Sequence, residues 1–130
     1  MVCMLEQSDA VETFVERMGM NAQADGLPRI AGRMMGVFIM HGGPFSFSEL
    51  AEKLQISRGS VSTNARILVQ LGVIERIAKP GDRQDYYQLA EHPYARMLEG
   101  YVFRMAGLRD MVQGVASILP KDDQPRMARM

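Results

Sequence analysis

The chain has 130 residues, with 15 Lys plus Arg balanced by 15 Asp plus Glu, 47% hydrophobic residues and a single cysteine. That length suits one domain with one core and is small for an enzyme cleft, while neutral charge and ordinary hydrophobicity exclude a disordered chain or a general nucleic-acid coat. Cys3 has no internal disulfide partner, no apolar run reaches the roughly 18 residues of a bilayer span, and MVCMLEQSDAVE lacks a signal peptide's basic and apolar segments, so a cytoplasmic protein without a membrane span is expected.

A first helix is expected over about Leu5 to Met18. The segment up to Asp25 holds five acids (Glu6, Asp9, Glu12, Glu16, Asp25) and one base, Arg17. Such a segment belongs away from any phosphate. A second helix runs from Leu27 or Pro28 to Met40 and stops at His41-Gly42-Gly43-Pro44, with Gly36 inside it trading helix stability for close packing.

The stretch Phe47 to Glu75 is the most informative. Phe47, Leu50, Ala51 and Leu54 recur at spacings of three and four and share one face of a short helix. Gln55 and Ile56 make the turn, and Ser57 supplies an N-cap hydroxyl to a second helix that ends at Gly72. On that helix Val61, Ala65, Leu68 and Leu71 are expected to face inward. The outward face then carries Arg58, Gly59, Ser60, Ser62, Thr63, Asn64 and Arg66, with no acidic residue from Arg58 to Gln70. A merely solvated face would be rich in Glu and Lys. Short hydroxyls near a positive helix end suit phosphates, and Arg and Asn suit guanine and adenine edges. A helix-turn-helix that reads double-stranded DNA is the expectation.

Next, VIERIAKPGDRQDYYQLA places β-formers on both sides of Lys79-Pro80-Gly81-Asp82-Arg83, the signature of a hairpin. A hairpin directly after a recognition helix is a wing. Arg76, Lys79 and Arg83 charge it; from Ser57 to Arg83 five basic residues face two acidic ones, a local balance of +3 in a neutral chain.

A long final helix is expected from Pro93 to Leu119, followed by a polar tail, 120–130. Tyr94, Leu98, Tyr101, Met105, Leu108, Val112, Val115 and Leu119 alternate spacings of four and three, a heptad stripe over roughly 40 Å. Gly100, Gly107 and Gly114 recur on one line, consistent with close helix approach. Packing on the first helix would cover part of this stripe and a second copy the rest, so Leu5, Phe14, Leu98, Tyr101, Met105, Leu108, Val112, Val115 and Leu119 are the expected dimer interface. The fold class is thus mainly α with a small β-wing: residues 1–20 and 93–119 as dimerisation helices around a winged helix-turn-helix at 27–90. A two-fold dimer presents two recognition helices to a palindromic operator.

These residues resemble a known family. SELAEKLQISRGSVSTNARILVQLGVIERI with the PGDRQDYY wing looks like a MarR-type winged helix-turn-helix repressor, and Gly26 to Gly36 followed by SRGSVSTNAR resembles its GbsR-like branch. The resemblance implies a homodimeric transcription regulator with both terminal helices in the interface. It also implies DNA contact by Arg58, Ser60, Ser62, Thr63, Asn64 and Arg83. The branch includes sensors of choline-type ligands. This chain departs from the branch's layout by ending soon after Leu119, and that ligand is not carried over.

Other chemistry is poorly represented. His41 and His92 begin no metal-ligand pattern, Ser57, Ser60 and Ser62 lie in no GxSxG elbow, and no phosphate-binding glycine motif occurs, so neither enzyme, cofactor nor metal is expected. Twelve methionines suggest a pliable core and interface, with Cu(I) binding or an adaptable effector pocket as alternatives. Phe14, Phe38, Tyr94, Tyr101 and Phe103 are candidates to line a pocket for a small apolar or cationic effector. Two competing functions remain open at this point: a winged-helix module that binds protein rather than DNA, and a redox or metal sensor using Cys3 and the methionines.

Overall fold

The computed structural model describes residues 2–130; the side chains of Val2, Cys3 and Leu5 lie outside the described residues, and so do the expectations placed on Cys3 and Leu5. Helix α1 spans Val2–Ala24 and packs along α2, Arg29–His41. α1 runs on past Met18 because its last turns still have a surface to cover: Ala22 is buried against α2. The approach is closest at Gly32, where an added Cβ would fall against the Met18 carbonyl oxygen and 2.8 Å from the Gly19 Cα. Gly36 is a second close point, its absent Cβ 3.0 Å from the Val15 Cα. Glu16 fastens the pair, accepting from Arg29 at 3.1 Å and Arg33 at 3.0 Å. The Arg29 hydrogen bond is the chief reason its carboxyl sits below the usual range.

After α2, Gly42 takes a positive φ of 83° and the chain enters a two-residue strand, β1, Phe45–Ser46. Ser46 is buried, and its hydroxyl accepts from the Glu49 amide at 3.2 Å to cap α3, Phe47–Leu54. The S-x-x-E spacing of Ser46 and Glu49 is that of a capping box. Gln55 turns the chain in the left-handed region, φ 57°, and Ser57 caps α4, Arg58–Gln70, by accepting from the Ser60 amide at 3.1 Å. Strands β2, Ile74–Ala78, and β3, Asp85–Leu89, form the expected hairpin.

The sheet has a third member that the sequence reading lacked. β1 pairs antiparallel with β3 (Phe45 with Tyr87, Ser46 with Tyr86), giving the order β1-β3-β2. The core gathers between α2, α3, α4 and this sheet. Phe38, Met34, Leu50, Leu54, Val61, Leu68, Val73 and Ile74 are its fully enclosed side chains, and Phe38 meets Phe45 with ring centroids 5.3 Å apart. The fold is therefore mainly helical with a small antiparallel wing, as the sequence reading expects.

Helix α5, Pro93–Ile118, has no buried residue along its 26 positions. Leu98, Tyr101, Met105, Leu108 and Val115 are exposed, and Gly107 and Gly114 adjoin open space. A short helix α6, Gln124–Met127, closes the chain. Among the described residues no helix is long and apolar enough to cross a membrane, and no group of three or more His, Cys, Asp or Glu side chains could hold a metal.

Candidate nucleic-acid interface

The exposed end of α4 and the adjoining wing form one polar surface. Ser57 spends its hydroxyl oxygen on the cap, which fixes the direction in which α4 leaves the turn. Arg58, Gly59, Thr63 and Arg66 are exposed, and Ser60 and Ser62 are half-buried, Ser60 beside Asn64. Thr63 turns its hydroxyl back to donate to the Gly59 carbonyl at 3.0 Å while the side chain stays exposed.

Asn64 corrects the sequence reading. It lies with Val61, Ala65 and Leu68 on the inward face, only 4% exposed, and its Nδ2 donates to the Ser60 carbonyl at 2.8 Å. Position 64 follows 61 by three and precedes 68 by four, so helical geometry carries it inside despite its polarity. Its Oδ1 is buried without a hydrogen-bond partner. The Asn64 amide is thus turned into the lobe, not onto the exposed surface of α4.

The wing's charges are more committed than the sequence suggests. Arg76 donates to Asp85 at 2.7 Å, which raises its already high pKa, so it is held within the hairpin. Lys79 lies over the Tyr86 ring, its Nζ 4.1 Å from the centroid. Asp82 accepts from the Gln84 amide at 2.9 Å and from the Tyr86 hydroxyl at 2.7 Å. These bonds, the amide first, hold the Asp82 carboxyl below the ordinary range, and the same contact raises the Tyr86 hydroxyl. Asp82 therefore braces the turn, and Arg83 forms no ion pair among the described residues.

Ser48, which the sequence reading passed over, belongs to this surface. Arg58 Nη2 donates to Ser48 Oγ at 2.8 Å, and both line a cleft of about 330 Å³ with Arg83 and Gln84. An exposed serine in the first turn of α3, two positions after the capping serine, was the available signal.

Of the five aromatics expected to share a pocket, Tyr94 and Tyr101 line one groove with Leu27, Leu71 and Met97, and the other three stand apart. Phe38 is in the core, Phe103 is 80% exposed, and Phe14 lines a separate groove on α1 with Glu6 and Arg17. An apolar cavity of about 250 Å³ does lie between α1, α2, the end of α4 and the start of α5, lined by Met18, Ala22, Leu27, Met35, Leu68 and Met97 among others.

Comparison with known proteins places this geometry. A model of the MarR family matches residues 25–85. The chain is 40% identical over 99 residues to the HTH-type transcriptional regulator MmpR5 of Mycobacterium tuberculosis, covering 75% of this chain and 60% of that protein. It is 28% identical over 85 residues to the HTH-type transcriptional repressor OpcR of Bacillus subtilis, covering 65% of this chain and 46% of the repressor. The chain thus spans roughly half the length of these relatives. A solved structure described as a transcriptional regulator superposes with a TM-score of 0.79 at 36% identity, covering 92% of this chain and 82% of that one. The Staphylococcus aureus MepR–DNA complex shares the fold, with a TM-score of 0.50 at 18% identity, covering 99% and 91%.

Proposed function

We propose that the chain is a winged-helix transcriptional regulator of MarR type, the non-enzyme family whose model residues 25–85 match, and that it binds double-stranded DNA sequence-specifically and acts as a repressor. The observation that carries this reading is the single surface on which an acid-free α4 face, capped at its positive end, lies beside a wing whose Arg83 forms no ion pair among the described residues. Phosphates and base edges are what such a surface recognises.

The working unit is a homodimer on a palindromic operator, with α1 and α5 as dimerisation helices. Support comes from α5, whose heptad stripe is left uncovered by its own chain. The segment Gly26 to Gly36 supports placement in the GbsR-like branch. A small apolar effector would enter the cavity between α1, α2 and α5, whose walls come from both the interface helices and the DNA-reading lobe.

Selection of bound sequences from a random duplex pool tests the reading. An enriched, two-fold symmetric motif is the expected outcome. Equal retention of all sequences, or negligible binding to any duplex at low salt, would overturn it.

A further inference from the structure

Resting on the reading of this surface as a DNA reader, we propose that the cleft between the starts of α3 and α4 and the base of the wing seats one backbone phosphate, with Ser48 and Gln84 joining Arg58 and Arg83 as its ligands. The cleft is lined by Phe47, Ser48, Arg58, Arg83, Gln84 and Asp85. Two guanidinium groups from different elements therefore border one space, the arrangement that suits a tetrahedral dianionic or monoanionic oxygen cluster.

Each neighbour is already set for that ligand. Arg58 is held by its 2.8 Å bond to Ser48, so little further ordering is needed when an anion arrives. That bond occupies the Ser48 oxygen as acceptor and leaves the hydroxyl hydrogen to be donated elsewhere. Asp85 is the one carboxylate in the lining, and Arg76 takes its Oδ2 at 2.7 Å, cancelling the charge that would repel an anion. Arg83 keeps its charge unmatched among the described residues. Phe47, packed edge-on to Tyr87 with centroids 5.5 Å apart, gives the cleft an apolar floor that weakens solvent screening.

The consequence concerns what Arg58 reads. Tied back across the turn to α3, it points to the flank of the reading helix, where a strand's phosphates pass, and not along the helix to a base edge. Arg58 then supplies affinity and register while sequence choice falls to Ser62, Thr63 and Arg66.

The test uses the full chain and a duplex enriched from the random pool, with single phosphates replaced in turn by uncharged methylphosphonate. Wild type is expected to lose roughly tenfold in affinity at one position per half-site. Arg58→Ala and Arg83→Ala should each bind the parent duplex more weakly, lower the salt slope by about one, and no longer respond to methylphosphonate at that position. Ser48→Ala should weaken binding with the slope unchanged, since it removes no charge. All three side chains are exposed or at the cleft edge, so folding is not at stake. An identical methylphosphonate profile in wild type and both arginine variants would overturn the proposal, as would relaxed base preference in Arg58→Ala. Absence of any duplex binding by wild type is a separate result and refutes the DNA reading itself.

Discussion

Asn64 carries an amide into the interior beneath the surface that faces outward on α4, and only half of that amide is used: Nδ2 reaches Ser60, and Oδ1 reaches nothing. A buried acceptor without a partner costs about 1–3 kcal/mol, whereas an apolar group of similar shape avoids that cost. Asn64→Leu should therefore unfold in urea at unchanged or slightly higher stability, and Asn64→Asp should lose about 3 kcal/mol by burying a charge. A loss above about 1 kcal/mol in Asn64→Leu would show that the amide makes a contact essential to the lobe. The residue also marks where sequence reading of the site stops. Polarity argued for an outward Asn64, periodicity placed it inward, and periodicity prevailed because Val61, Ala65 and Leu68 fix the helix's rotation. The commitments of Arg76 to Asp85 and of Asp82 to Tyr86 were equally hidden, since they depend on cross-strand register and turn shape, which the linear spacing of the charges does not reveal.

At the scale of elements, most of the layout was legible. Apolar spacing and end signals located α2 to α5 and the hairpin to within a few residues, because Gly42, Ser57, Gly72 and Pro93 each act locally. The strand β1 was not legible: two residues carry no alternation, and its partner Tyr87 lies far along the chain. Close approach was foreseen at Gly36, but the tighter crossing is at Gly32. Gly32→Ala should destabilise the protein by about 2 kcal/mol, because its Cβ meets α1 backbone, which cannot step aside as a side-chain tip would. Gly59→Ala is the control. Its Cβ meets only the Ser57 Oγ at 4.0 Å, and helix propensity should yield a gain of about 0.5–1 kcal/mol. Chemical denaturation of both variants decides the point, and equal stability changes would refute the crossing as a packing constraint.

For the whole molecule, α5 is the unbalanced part. It exposes Leu98, Tyr101, Met105, Leu108 and Val115 along a helix about 39 Å long, an apolar surface that a second copy would cover. Leu108→Asp should shift sedimentation from dimer to monomer at micromolar concentration while leaving the circular dichroism of the DNA-reading lobe intact. It should weaken binding to a two-half-site duplex by at least about a hundredfold and leave single-half-site binding nearly unchanged. A variant that still sediments as a dimer would move the interface elsewhere.

The small strand β1 has a mechanical consequence. Through Phe45–Tyr87 and Ser46–Tyr86 it staples the start of α3 to the wing, while Ser46 also holds the α3 cap. A push on the wing tip is thus delivered to α3 and, through the Arg58–Ser48 bond, to the head of α4. Wing and reading helix form a single lever. In the proposed dimer, a signal arriving from the α1–α5 side would tilt that lever as a unit, and its output would be the distance between two levers and not the shape of either one.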